Sequence, residues 1–152
     1  MNASSDHENC ELCAQPGGRV VYRTGEWRVV RVADAAFPAF YRLIWNGHVS
    51  EFTDLDAGAR QRCMQAVAAV EEALRAALQP TKINLASLGN MVAHLHWHVI
   101  ARFEWDSHFP QPVWGSAQRS ALPPAAARLP LTLEALDAQV GQALAALPSR
   151  RD

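Results

Sequence analysis

At 152 residues, 49% apolar and 19% charged, the chain has the size and composition of one globular domain that buries its own core without disulfide staples. With 14 basic and 15 acidic side chains the formal net charge is −1, which excludes a global field for gathering nucleic acid or anionic lipid, so any grip on phosphate has to be local. No stretch approaches ~20 uninterrupted apolar residues. Residues 1–9 lack an apolar signal segment, and three cysteines without an export signal point to reduced thiols. The expectation is a cytoplasmic protein with neither membrane nor nucleic-acid partner.

In chain order, residues 1–9 read as a flexible N-terminus, 10–120 as the folded domain, and 121–152 as a Pro/Ala linker with a C-terminal helix. Cys10-Glu11-Leu12-Cys13 is a Cys-x-x-Cys knuckle, followed by turn chemistry in Gln15-Pro16-Gly17-Gly18. The β-branched and aromatic runs 19–22 and 27–32 predict a hairpin. A loop carrying Asp34 and Pro38 leads to a third predicted strand over 41–45. Thr53 or Asp54 is positioned to cap a long helix whose Met64, Val67, Val70, Leu74, Ala77 and Leu78 repeat at three- and four-residue steps. Cys63 beside that stripe reads as core filler, and Pro80 ends the helix. Strands follow over 82–87 and 91–103, joined around Gly89-Asn90. The Pro-rich stretch after Phe103 is too irregular for a further element, and its Trp105 and Trp114 are candidates for lining a pocket or packing on a second subunit. His7 and His108 read as surface residues. A second amphipathic helix carries Leu133, Leu136, Val140 and Leu144. Strands, one long helix, then strands predict an α+β fold with a mostly antiparallel sheet.

The centre of the chain's chemistry is Ala93-His94-Leu95-His96-Trp97-His98-Val99. On a strand, alternate side chains share a face, so His94, His96 and His98 are expected in a row opposite an apolar set. Neutral imidazole is a good nucleophile near pH 7, and a neighbouring imidazole can donate to phosphate. One strand face would then supply both groups for phosphoryl or nucleotidyl transfer.

The alternation His-φ-His-φ-His-φ-φ at residues 94–100 resembles the signature of the histidine triad (HIT) family of nucleotide hydrolases and transferases. The likeness extends back through Lys82 to Asn90 and to the Asp34–Pro38 loop, covering residues ~10–105. It implies a five-stranded antiparallel half-barrel that dimerises through its sheet into a homodimer; the one long helix and the C-terminal helix complete the expected fold from their own periodicity, the latter outside the likeness. It implies His96 as the nucleophile that forms a covalent nucleotidyl-histidine, His98 as a phosphate contact, and His94 as a support for the nucleophile or a zinc ligand. Asn84 and Asn90 match residues near the α-phosphate, and Asp34 matches the acid that holds the ribose. Two departures stand out: Asn90 where many members have Gln, and Ala101-Arg102 where many have Pro-Arg.

Cys10 and Cys13 alone leave a redox pair or a zinc knuckle open. Resemblance to zinc-bearing HIT members and to the related galactose-1-phosphate uridylyltransferases implies a structural Zn2+ site completed by His48 and His94. The function expected is hydrolysis or nucleotidyl transfer at the α-phosphate of dinucleoside polyphosphates or AMP conjugates. The alternative is a non-catalytic nucleotide- or zinc-binding protein that retains the fold.

Overall fold

Five short segments rich in β-branched and aromatic residues pair into one open antiparallel sheet. In the computed structural model, which describes residues 7–149, these are β1 (Arg19–Arg23), β2 (Trp27–Arg31), β3 (Phe40–Trp45), β4 (Lys82–Ala86) and β5 (His96–Arg102). Their spatial order is β1-β2-β3-β5-β4. The architecture is α+β, as expected. Register places Phe40 opposite Ile100, Arg42 opposite His98 and Ile44 opposite His96, so these six share one face of the sheet. Tyr41, Leu43, Trp97 and Val99 share the other.

That second face is buried by two helices. The long helix α2 (Ala57–Leu78) follows a one-turn helix α1 (Glu11–Ala14) in the chain, and α3 is Leu133–Ala145. Asp56, not Thr53 or Asp54, caps α2, its carboxylate accepting from the Ala59 amide at 2.8 Å. Thr53 and Asp54 belong to a separate 3-10 turn, where Asp54 accepts from the Glu51 amide at 2.9 Å. Gln79 closes the helix in the left-handed conformation (φ 47°) just before Pro80. The buried stripe is Cys63, Ala66, Val67, Val70, Leu74 and Leu78, with Met64 and Ala77 at its half-buried edges. Cys63 is fully enclosed, and burial pushes its thiol up to about 12, as core filler should be.

Helix α3 lies against α2 and β1. Thr132 caps it, accepting from the Ala135 amide at 3.1 Å, and Leu136, Val140 and Leu144 face inward. Its one buried acid, Asp137, accepts from the Tyr41 hydroxyl (2.7 Å) and from Arg31 Nε (2.9 Å), tying the C-terminal helix to the sheet. Among the described residues no helix is long and apolar enough to cross a membrane.

The opposite face is covered only at its ends. Cys10, Leu12, Val30 and Ile44 form a small apolar cluster at one end. Phe37, Phe40 and Ile100 form another, with Val113 against it. Between the two lies the open middle of β3 and β5.

Candidate active site and metal cluster

Strand β5 starts at His96, not at Met91, and the difference separates the three histidines. The His94 amide donates to the Val92 carbonyl at 2.8 Å, a three-residue turn that rotates His94 off the strand face. His96 and His98 stay on that face, their rings 5.0 Å apart and at 89° to one another. The triad therefore divides between two neighbouring sites.

The first is a cavity of about 460 Å³ floored by His96, His98 and Arg42. Gly89 and Asn90 form one wall, with Gly89 at φ 88°, a left-handed turn that glycine adopts without steric cost. Glu11 and Leu12 of α1 approach from another side, and Leu88, Met91 and Trp114 stand at the exposed mouth. His96 Nδ1–H donates to the carbonyl of His94 at 2.6 Å, which leaves the Nε2 lone pair for the cavity. Burial lowers the His96 pKa below its ordinary value, favouring neutral imidazole. Burial, with His96 and Arg42 nearby, brings His98 down to about 4. His98 Nδ1 and Arg42 Nε are enclosed without a hydrogen-bond partner.

The second site joins Cys10, Cys13, His48 and His94, whose donor atoms all lie within 4.8 Å of one another. Cys10 Sγ is 3.4 Å from His94 Nδ1, and Cys13 Sγ is 3.3 Å from His48 Nδ1 and 3.5 Å from His94 Nδ1. With Zn–S bonds near ~2.3 Å and Zn–N bonds near ~2.05 Å, the sulfur–nitrogen edge of a tetrahedron is roughly 3.6 Å. The donor set therefore has the spacing as well as the chemistry for a metal ion. His94 Nε2–H donates to the Trp45 carbonyl at 2.6 Å, which fixes the tautomer that presents Nδ1 to the sulfurs.

Arg28 holds the cysteine segment in place. Its guanidinium donates to the carbonyls of Leu12 (2.7 Å), Gln15 (3.1 Å) and Pro16 (2.9 Å), and to Asn46 Oδ1 (3.1 Å). Gly17 permits the close seating: a Cβ there would come within 2.8 Å of Leu12 and Ile44.

The remaining expected residues sit outside the cavity wall. Asn84 is half-buried on β4, its Oδ1 accepting from Arg102 Nη1 at 2.9 Å. Asp34 caps its own loop, accepting from the amides of Ala36 (2.9 Å) and Phe37 (3.3 Å). His108 is half-buried rather than a surface residue, its ring 5.1 Å from Phe37. His7 is exposed, with its ring 4.4 Å from that of His48. Trp105 stacks on Phe103 at 4.5 Å under Arg128, whereas Trp114 is 61% exposed at the cavity mouth. Arg102, at the departure from Pro-Arg, is buried and pairs with Asp106 at 2.8 Å while also donating to the Gln111 carbonyl at 2.7 Å. Burial pushes Asp106 up, but Arg102 and the amides of Phe103, His108 and Phe109 together hold it below the ordinary carboxylate value. This pair seats the irregular segment 106–111 against the end of β5.

With two histidines of the triad on one sheet face and the third turned toward a Cys/His cluster, the comparisons agree on kinship. Residues 15–105 match the HIT domain, and the chain belongs to that family. Among solved structures it is similar to a histidine triad protein from Marinobacter aquaeolei VT8, at 25% identity, TM-score 0.70, covering 91% of this chain and 96% of that one. A histidine triad protein from Sinorhizobium meliloti 1021 shares 26% identity at TM-score 0.66 over 85% and 91% of the two chains. A hypothetical histidine triad nucleotide-binding protein from Sulfolobus tokodaii shares the fold at TM-score 0.56 and 16% identity, covering 84% of each chain. No curated protein matched by sequence.

Sequence reasoning missed Arg42, Arg28 and Arg102. Arg42 had a visible signal: it is the one charged residue of Phe-Tyr-Arg-Leu-Ile-Trp and shares parity with Phe40 and Ile44, which puts it on one strand face with them.

Proposed function

We propose that this HIT-family protein is a nucleotide phosphate hydrolase or nucleotidyl transferase that works at the α-phosphate through His96. The observation that carries the reading is the hydrogen bond from His96 Nδ1–H to the His94 carbonyl, which leaves a neutral Nε2 facing the cavity. In this reading Nε2 attacks the α-phosphorus and a P–N bond forms. The P–O or P–N bond to the leaving group breaks, with the leaving group taking the electron pair. The P–N bond to His96 then breaks as water attacks and gives the nucleoside monophosphate, or as another acceptor attacks and carries the nucleotidyl group away. His98 and the Gly89-Asn90 turn border the same space and are placed to meet the phosphate oxygens. Dinucleoside polyphosphates and AMP conjugates are the substrate class, and the exposed Trp114 and Met91 offer apolar surface for a base at the mouth. The nucleotide-binding name of the Sulfolobus tokodaii relative is in keeping with this reading.

Wild type incubated with diadenosine polyphosphates and AMP amides is expected to release AMP, and His96→Ala to release none while still binding AMP. Wild type that binds AMP without releasing any would leave a binding protein instead.

Zinc is the metal we assign to Cys10, Cys13, His48 and His94, because two thiolates and two imidazoles at tetrahedral spacing suit it. All four ligand positions come from the chain, so the ion would be structural, holding α1 and the turn before β5 together. Purified protein is expected to carry about one zinc per chain, and Cys13→Ser to lose most of it. Stoichiometric zinc retained by Cys13→Ser would rule the assignment out.

A further inference from the structure

We propose that Arg42 is a second anion subsite of the cavity, binding the phosphate next to the one that reacts, and that it makes the protein selective for pyrophosphate-linked nucleotides. The inference rests on the reading of His96 as the residue that meets the α-phosphate, and goes beyond it by naming what the leaving group must carry.

Three observations support it. Arg42 pairs across the strands with His98, two positions along β5 from His96, and all three line the same cavity. The guanidinium lies 5.7 Å from the centre of the Phe40 ring, and Phe40 in turn meets His98 edge-on at 5.4 Å. The cation therefore lies beside His98 on the neighbouring strand, in the cavity that His96 also lines, where a phosphate adjoining the reacting one can meet it. Second, the guanidinium is unspent. Its Nε is enclosed without a partner, and among the described residues Arg42 makes no hydrogen bond or ion pair. Two buried arginines on this face contrast with it: Arg28 is committed to three carbonyls and an amide, and Arg102 to Asp106, Asn84 and a carbonyl. Glu11, exposed on the cavity edge, is the acid whose field Arg42 feels, at a distance that forms no ion pair. Third, Arg42 is the one arginine or lysine among the residues that line the cavity, and a half-buried guanidinium can balance an anion that desolvates with it.

A phosphoramidate or a mononucleotide presents one phosphate and leaves Arg42 unused, whereas a pyrophosphate link presents two. Calorimetric titration with AMP, ADP and inorganic pyrophosphate, on wild type, Arg42→Gln and Arg42→Lys, tests the assignment. Arg42→Gln keeps the side-chain stem and loses the charge. It is expected to weaken ADP and pyrophosphate by about ten- to a hundredfold while changing AMP by less than about threefold. Arg42→Lys, which restores charge without the fork, is expected to recover part of that loss. Thermal melts of the variants guard against misfolding. Equal losses for AMP and ADP in Arg42→Gln would place the residue on the reacting phosphate and overturn the second subsite, and no loss for either would overturn it outright. If wild type binds pyrophosphate through Arg42 but no AMP, the subsite stands and the nucleotidyl reading falls. Absence of all three ligands from wild type would end both.

Discussion

The two faces of β5 are almost equally buried and differ in what they bury. Toward the helices, Val99 and Ala101 join Leu43, Val70 and Leu74 in the main apolar core. Toward the other side, His96 and His98 are each 8% exposed and Arg102 is 2% exposed, on alternate positions of the same seven residues. Burying apolar area stabilises a fold at roughly 25 cal/mol per Å², whereas burying an imidazole or a guanidinium costs free energy unless it is paired. The helix face is what holds the domain together, and its polar group Asp137 meets Tyr41 and Arg31. The open face holds groups that stability alone would not place there. The contrast separates positions kept for packing from positions kept for chemistry without any appeal to sequence variation.

The sharpest test of the contrast lies where the open face does contain a closed pair. Asp106→Asn leaves Arg102 as an uncompensated charge at a site where both side chains are 2% exposed. A loss of about 3–5 kcal/mol in denaturant unfolding is expected. A loss below about 1 kcal/mol would mean that water reaches the pair and that the segment after β5 is not anchored by it.

Next comes acid. The His98 pKa is brought down to about 4, whereas an unfolded histidine titrates near ~6.5. Between those values the unfolded chain takes up a proton that the folded one refuses. The stability contributed by neutral His98 is therefore full above about pH 6.5 and is lost as pH falls toward 4, to a total of about 3 kcal/mol. His98→Gln should flatten that part of the stability–pH curve measured by denaturant unfolding. An unchanged slope would show that His98 is hydrated and that the open face is not a low-dielectric site.

The smallest effect belongs to the helix face. Tyr41→Phe removes the hydroxyl that donates to Asp137 at 2.7 Å while keeping the ring, and should lower stability by about 1–2 kcal/mol. The same variant should leave AMP release unchanged, because Tyr41 points away from the cavity. A loss of turnover without a loss of stability would blur the division between the faces.

Much of this was legible beforehand, and the reasons are physical. Period-two alternation over 96–102 fixed which residues of β5 face together, because a strand has only two faces. The Cys-x-x-Cys knuckle and the histidines at 48 and 94 are brought to one cluster, matching the ligand set that the family resemblance implied. The start of β5 was not legible. Alternation continues through His94, but a backbone hydrogen bond from His94 to Val92 turns the chain there, and no side-chain pattern records it. The cap of α2 was displaced for a similar reason: Thr53 and Asp54 are good caps, yet Leu55 and a 3-10 turn intervene before Asp56. The family resemblance makes Asp34 a ribose contact, and in the fold its carboxylate shapes the loop 34–37; a sequence does not reveal which of those a short acid in a turn is doing. Strand parity places Arg42 and Arg102 on the face they share with His96 and His98. Their different fates, one unspent and one paired, depend on residues 18 and 4 positions away or across the sheet, which only tertiary packing supplies.

The proposed function turns on covalent attachment of the nucleotide to His96 Nε2. Brief mixing with a diadenosine polyphosphate, an alkaline quench that preserves the P–N bond, and mass spectrometry of the digested protein test it directly. The expected result is the added mass of one AMP on the peptide that contains His96, and none in His96→Ala. Turnover that survives in His96→Ala, or an adduct on any other residue, would contradict it.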